Sequence, residues 1–292
     1  MRGNPEAHEL IAASSLPEVL AQLSSAPGAW TPIAGGTELM VAHAAGRLNA
    51  NKLISLWGLP ELKFIHVSED YISIGGGVTF GQIRRHAAIA ADFPLLSRAA
   101  SWIGSIANQN RATLAGNIVN GSPAADAPPA LLVYDAEIEL ISQRGSRRLP
   151  YAEFHLGYKQ SVLEPDELLL ALHLPRRFAR HAQYLRKVGT RKAMAITKVA
   201  LAGTAIVESG KVIEIRLAAA SVADRPVRMT AAEAALMGRK LSLETRRTAR
   251  NALLNEVRPI DDIRSTAEYR KHVAANLLDE FLNELMHEGW SA

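Results

Sequence analysis

The chain changes its hydrophobic pattern at Pro175, and that change limits its possible folds more than any other feature. Before it, short β-branched runs at residues 31–34, 52–56, 64–67, 71–74, 137–141 and 168–174 are interleaved with helix-start signals. Those signals are capping boxes, in which a Ser or Thr followed three residues later by Glu or Gln satisfies two free amides reciprocally. Ser15 with Glu18, Thr79 with Gln82, Thr230 with Glu233 and Ser265 with Glu268 fit the pattern. Interleaving of this kind reads as α/β or α+β. After Pro175, strand-like runs occupy residues 183–187, 199–208 and 211–220, the last two joined by Ser209-Gly210, a two-residue hairpin signal. Three helices then close the chain. In the last, Tyr269, Val273, Leu277, Phe281 and Leu285 recur every four residues, with Ala274, Leu278 and Leu282 beside them, as one apolar stripe. Pro175 ends a strand and the Arg176, Arg177 and Arg180 that follow need solvent, so a domain break is expected near residue 177.

A length of 292 residues suits two domains, each with its own core. The chain contains no cysteine, which excludes disulfides, thiolate zinc sites, a cysteine nucleophile and iron–sulfur clusters held by this chain. Redox chemistry here needs a bound organic cofactor. Residues 1–16 lack the apolar core of a secretory signal, and the run 199–207 is far shorter than the roughly 20 residues of a membrane span. A cytoplasmic location is expected. The net charge of +4 comes from 33 basic and 29 acidic residues spread along the chain, and aromatics are only 5%, so no nucleic-acid partner is expected. The nine histidines show no metal-ligand spacing.

Two segments carry the functional argument. Ile33-Ala34-Gly35-Gly36-Thr37-Glu38 runs from a strand through paired glycines into a helix continuing to about Gly46. Glycines let the backbone approach a ligand closely, and the first amides of the helix favour an anion. The second segment, Thr113-Leu114-Ala115-Gly116-Asn117, is followed by Ser122-Pro123-Ala124-Ala125-Asp126. There Ser122 is expected to cap a new helix with Pro123 in its first turn and Asp126 in its first or second. Each loop alone reads more readily as a structural turn. Two of them in one domain could hold a dinucleotide pyrophosphate between them. Gly75, Gly76, Gly77 and Gly81 lack the dinucleotide-fingerprint spacing and read as a turn.

With these motifs, the whole chain resembles the FAD-binding medium subunit of the molybdenum hydroxylases, a group that includes bacterial xanthine dehydrogenases, carbon monoxide dehydrogenase and nicotinate dehydrogenase. Further stretches carry the resemblance: residues 64–65 and 72–75 through Thr79, Asp166-Glu167-Leu168-Leu169 to Pro175, residues 184–191 with Lys187, and Tyr269-Arg270. The resemblance implies an α+β fold with a two-part FAD-binding domain of the vanillyl-alcohol-oxidase/PCMH type at residues 1–177, its subdomains at about 1–57 and 58–177. A smaller C-terminal domain, residues 178–292, would hold a three-stranded antiparallel sheet and a helix bundle.

The resemblance also implies that Ile33, Ala34, Gly35, Gly36, Thr37 and Glu38, with Thr113, Leu114, Ala115, Gly116 and Asn117, clasp the FAD diphosphate. Asp126 would accept from a ribose or ribityl hydroxyl, and Leu169 and Lys187 would lie near the flavin ring. A cation there stabilises the anionic reduced flavin. On this reading the chain is the electron-transfer flavoprotein subunit of an oxidoreductase. A large molybdopterin subunit and a small subunit with 2Fe-2S clusters are its partners, in a dimer of heterotrimers, with NAD, oxygen or a quinone as final acceptor.

Three positions depart from the family pattern: Ala115 and Gln109 stand where Gly and Arg are usual, and Glu38 where Asp is commoner. They leave open a structural or assembly subunit with weakened FAD binding; a stand-alone flavin reductase is a further alternative. Lys187 also lies in a stretch, residues 176–192, with seven Lys or Arg and no acid, which reads equally as a solvated face. The loop reading predicts that Gly36→Val abolishes FAD retention and that Gly76→Ala does little to that retention.

Overall fold

The computed structural model describes residue 4 and residues 7–287. Three sheets organise it. In the first, β1 (Glu9–Ala12), β3 (Lys52–Ser55) and β2 (Thr31–Ile33) run parallel in the order β1-β3-β2. Parallel neighbours need crossovers, and α1 (Leu16–Ser25) and α2 (Leu39–Ala44) lie in them. Leu16, Val19, Leu20 and Leu23 of α1 join Trp30, Ile54, Leu59, Leu62 and Leu168 in a small core.

The second sheet is antiparallel, in the order β4 (Ile65–Val67), β5 (Tyr71–Gly75), β10 (Leu168–Pro175), β6 (Glu137–Ser142) and β7 (Gly145–Pro150). Alternation along the strands puts Ile72, Ile74, Ile138, Leu140, Leu172 and Leu174 in one core. The same core takes in residues of α3 (Phe80–Arg85), α4 (Ala87–Asp92), α5 (Pro94–Trp102) and α8 (Pro128–Val133). Short helices α6 (Ile106–Gln109) and α7 (Leu114–Val119) precede α8, and a small hairpin, β8 (His155–Gly157) with β9 (Gln160–Ser161), follows β7.

The C-terminal sheet has four strands, β11 (Ala182–Val188), β12 (Val199–Glu208), β13 (Lys211–Ala220) and β14 (Val227–Arg228), where the sequence predicts three. At two residues, β14 is too short to leave a pattern. Ser209 and Gly210 both take positive φ, 50° and 75°, as the tight β12–β13 turn requires. Helices α9 (Thr230–Leu236), α10 (Leu243–Glu256) and α11 (Ala267–His287) complete the core on this sheet. The α11 stripe is buried from Ala274 through Leu277, Leu278, Phe281 and Leu282 to Leu285, whereas Tyr269 is 42% exposed. Gly203 is required beneath it, because a Cβ there would lie 2.4 Å from the Phe281 ring. Leu185, Ala202 and Ala218 pack into the core of the second sheet, so the C-terminal sheet is buried on both faces. That explains why β12 is almost uniformly apolar rather than alternating. Polar groups cement the same junction: Asp135 accepts from Arg177, Arg216 and Arg228, and Arg228 also pairs with Glu233 at 2.8 Å.

The capping signals fare unevenly. Thr79 and Gln82 form the complete box. Ser15 caps α1, but the Glu18 carboxylate reaches back to Ser14 at 2.7 Å instead of to the cap residue. Thr230 is inside α9, and Glu233 is drawn inward to the Leu217 amide and Arg228. Ser265 does not cap α11; Thr266 does, accepting from the Tyr269 amide at 3.2 Å.

His155 lies edge-on to the Tyr151 and Phe154 rings. Burial, aided by the nearby Arg225 charge, pushes its imidazole down to about 4. The unfolded chain takes up this proton near pH 6.5, the folded chain only near pH 4, so stability present above pH 6.5 is lost as pH falls between the two. His155→Gln keeps a partner for the Tyr151 hydroxyl but removes the titration. Its urea midpoint is expected to fall less than that of the parent between pH 7 and pH 4.5.

Candidate functional site

The first loop leaves β2 at Ile33 and enters α2 at Leu39. Among the described residues, none of the five amides from Ala34 to Glu38 donates a hydrogen bond within the chain. Residues 33–37 are half-buried and Glu38 is exposed, so this run of five unpaired donors lies at the protein surface. Gly36 turns the chain with φ +73°. The Gly36 and Glu38 carbonyls accept from Met40 and Ala42, committing the segment to α2. Glu38 is exposed and its side chain makes no cap bond, while the Thr37 hydroxyl is free among the described residues.

The second loop is fixed by the strand-like pairing of Thr79 with Thr113, through Phe80 N–H to Ala112 O and Leu114 N–H to Val78 O, both 3.0 Å. Thr113 caps α7, its hydroxyl accepting from the Gly116 amide at 3.1 Å. Gly116 is exposed, and Asn117 Oδ1 is buried without a partner. Leu114 is buried in the core and only positions the backbone. The Ala115 methyl also points inward, toward Gly76, so the departure from glycine adds no bulk on the open side. Gln109 is likewise committed to the interior, accepting from Arg84 at 2.9 Å and donating to Ser101 O at 3.1 Å.

The two loops touch. A Cβ on Gly35 would lie 1.8 Å from the Arg111 carbonyl oxygen, so only glycine admits this approach. Arg111 reaches back with Nε to Gly35 O at 3.4 Å and lies over the Trp57 ring, 4.1 Å from its centroid. The free amides of the first loop and the Arg111 guanidinium thus lie at the junction of the loops, and the second loop adds the unpartnered Asn117 amide oxygen. Such a set suits a phosphate beside polar hydroxyl or amino groups.

The glycine cluster at 75–77 is more than the turn the sequence suggests. Its amides bond to Phe64 O, Leu170 O and Leu62 O, and a Cβ on Gly76 would lie 2.3 Å from Leu169 O. The cluster therefore supports the second loop from behind. Gly76→Ala should therefore lower the melting temperature by several degrees, as overpacking of about 1–3 kcal/mol does. Differential scanning calorimetry checks this.

Asp126 does not lie on a helix beginning at Pro123. The Ser122 hydroxyl accepts from Ala124 in a turn, the Pro123 carbonyl is taken by the Ser221 amide at 2.8 Å, and α8 starts only at Pro128. Asp126 is 8% exposed, and it accepts from Lys187 Nζ at 2.8 Å and from the Thr197 hydroxyl at 2.5 Å. Burial raises its carboxyl above the ordinary range, and the Lys187 and Thr197 contacts oppose that rise. Lys187, on β11, is therefore part of a buried pair and not of a solvated face. It also lines an open pocket with Trp102, Gly189, Arg191, Lys192 and Met194. The Leu169 side chain is buried in the main core; it is the Leu169 carbonyl that faces Gly76. Sequence reasoning missed Gly76, Arg111 and Thr197, whose roles come from contacts across distant segments. No group of three or more His, Cys, Asp or Glu that could hold a metal occurs among the described residues.

Comparison with known proteins identifies the family. The family described as FAD binding domain in molybdopterin dehydrogenase matches residues 6–177, and that of the CO dehydrogenase flavoprotein C-terminal domain matches residues 184–285. The xanthine dehydrogenase FAD-binding subunit of Escherichia coli O157:H7 is 32% identical over 254 residues, covering 86% of this chain and 87% of that protein. A structure of carbon monoxide dehydrogenase from Hydrogenophaga pseudoflava superposes with a TM-score of 0.91 at 28% identity, covering 96% of this chain and 97% of its counterpart. Quinoline 2-oxidoreductase from Pseudomonas putida 86 shares the fold, with a TM-score of 0.90 at 23% identity. The chain thus belongs to the FAD-binding flavoprotein subunits of the molybdopterin dehydrogenases, a family of oxidoreductases.

Proposed function

We propose that this chain carries electrons within a molybdenum hydroxylase, from the 2Fe-2S clusters of a small subunit to an external acceptor. The observation that carries the reading is the row of five unpaired amides from Ala34 to Glu38, held against the second loop at Gly35. Those amides, with Thr37 and Asn117, would hold the FAD diphosphate and adjoining hydroxyls, while exposed Gly116, its amide taken by Thr113, leaves room for the approach. Asp126 keeps unused lone pairs beside its bonds to Lys187 and Thr197, so it can still accept from a ribityl or ribose hydroxyl. Lys187 brings a fixed positive charge to the pocket wall, where it would favour the reduced, anionic form of a flavin. Bound FAD would supply the redox step, taking electrons singly and releasing them as a pair.

The absence of cysteine fits a division of labour in which clusters and molybdopterin reside on partner chains. A large molybdopterin subunit and a small iron–sulfur subunit, in a dimer of heterotrimers in the cytoplasm, complete the proposed assembly. NAD, oxygen and a quinone are the candidate acceptors. Among the described residues, no helix is long and apolar enough to cross a membrane.

Titration of the purified chain with FAD tests the reading. A visible flavin spectrum retained through gel filtration is expected. At free FAD about 100 times its dissociation constant, stability should rise by roughly 2.7 kcal/mol. A colourless protein with no thermal shift would reject it.

A further inference from the structure

We propose that Ser221 is a positioning residue for the Asp126–Lys187 pair, acting by clamping the base of loop 189–197 to the segment that carries Asp126. The link from that pair to flavin chemistry rests on the function proposed above; the positioning itself does not.

Ser221 is one of five non-glycine residues with positive φ among the described residues, at +64°. It follows β13 directly, and this conformation turns its polar groups onto both sides of the pair. Its amide donates to Pro123 O at 2.8 Å, three residues before Asp126. The hydroxyl donates to Thr197 O at 3.0 Å, and the Thr197 hydroxyl in turn donates to Asp126 Oδ1 at 2.5 Å. Its carbonyl accepts from Arg270 at 3.2 Å, and that guanidinium also holds Lys198 O at 2.8 Å and Asp262 at 2.7 Å. Lys198 N–H closes the loop on Val188 O at 2.8 Å, next to Lys187.

The centre of the network is buried: Thr197 is 1% exposed, Arg270 3% and Ser221 7%. A buried polar network tolerates few alternative arrangements, because each lost bond leaves a group unsatisfied. The network fixes the Thr197 hydroxyl on one oxygen of Asp126 and leaves the other to Lys187. The ammonium is thereby held at a single place on the pocket wall. Without the serine hydroxyl the Thr197 carbonyl loses its donor, and both Thr197 and Lys187 can change partners.

Two variants separate the hydroxyl from the backbone. Ser221→Gly keeps the left-handed conformation and removes the donor; Ser221→Asn tolerates the same conformation and offers an amide N–H in its place. Lysine acylation followed by mass spectrometry reads the first consequence without any flavin. In Ser221→Gly, Lys187 should label about tenfold faster than in the parent, the change expected if about 1.4 kcal/mol of local restraint is lost. Ser221→Asn should restore most of the protection. Ser209→Gly, at a hairpin turn with a similar φ of 50°, should leave Lys187 labelling unchanged. In FAD-loaded protein, Ser221→Gly should lower the flavin midpoint potential and alter its visible spectrum, and Ser221→Asn should bring both back. Unchanged Lys187 labelling in Ser221→Gly would overturn the positioning role. Altered labelling in a chain that takes up no FAD would support that role and reject the flavin reading alone.

Discussion

Gly35→Ala is expected to abolish FAD retention and to destabilise the fold by at least about 3 kcal/mol, the upper end of ordinary overpacking. The added methyl would sit 1.8 Å from the Arg111 carbonyl oxygen and 2.5 Å from its carbon. That carbonyl cannot yield easily. Its segment is held by Arg111 N–H to Asn108 O at 3.0 Å, Ala112 N–H to Asn108 O at 2.7 Å and Phe80 N–H to Ala112 O. The loops must therefore part, which separates the free amides of the first from Gly116 and Asn117 of the second. Gly36 provides the contrast. A Cβ there meets side chains alone, Met40 Cγ at 3.2 Å and Ile33 Cδ1 at 3.6 Å, but φ is +73°. Gly36→Ala should cost the roughly 1–2 kcal/mol of a left-handed alanine while leaving the loops in contact. Gly36→Val, β-branched, should still abolish FAD retention. Melting temperature and flavin absorbance after gel filtration, measured on all three variants, check this order. Equal FAD content in Gly35→Ala and the parent would show that the loop junction is not the cofactor site.

The strands were the most legible part of the fold, because burial on one or both faces imposes a pattern that a linear reading detects. β12 and β13 begin and end at the expected residues, and their turn has the expected geometry. β7 left no such trace, since Gly145, Ser146, Arg147 and Arg148 lie exposed on a sheet edge where charge, not alternation, is favoured. Helix starts were less secure. Glu233 matched a capping box, yet a half-buried Arg228 and the Leu217 amide competed for its carboxylate and won.

The same division holds at the site. The two glycine loops were visible as local motifs, and the structure brings Gly35 of the first against Arg111, just before the second. The partners of Asp126 were not visible, because Lys187 and Thr197 lie 61 and 71 residues away and become neighbours only when the C-terminal sheet docks. Gly76 lies in the expected turn, but the tight packing around it was not visible, for a related reason. Its restriction comes from Leu169 O, on a strand almost a hundred residues later in the chain, and nothing in its own surroundings signals it.

Asp126→Ala is expected to destabilise the chain by about 3–5 kcal/mol, since it strips the partner from a lysine whose side chain is only 11% exposed. Lys187→Met should cost less. The remaining carboxyl keeps the Thr197 hydroxyl, and burial, which already raises its proton affinity, lets it be held neutral. The double variant Asp126→Ala/Lys187→Met should then be more stable than Asp126→Ala alone, because no unpaired charge remains in the junction. A double-mutant cycle in urea measures this coupling. The pair bridges the segment after α7 and the first strand of the C-terminal sheet, so its loss should also loosen the junction. Faster amide exchange in β11 and in residues 122–127 of Asp126→Ala is the expected sign, and additivity of the two single variants would show that the ion pair contributes nothing beyond its separate parts.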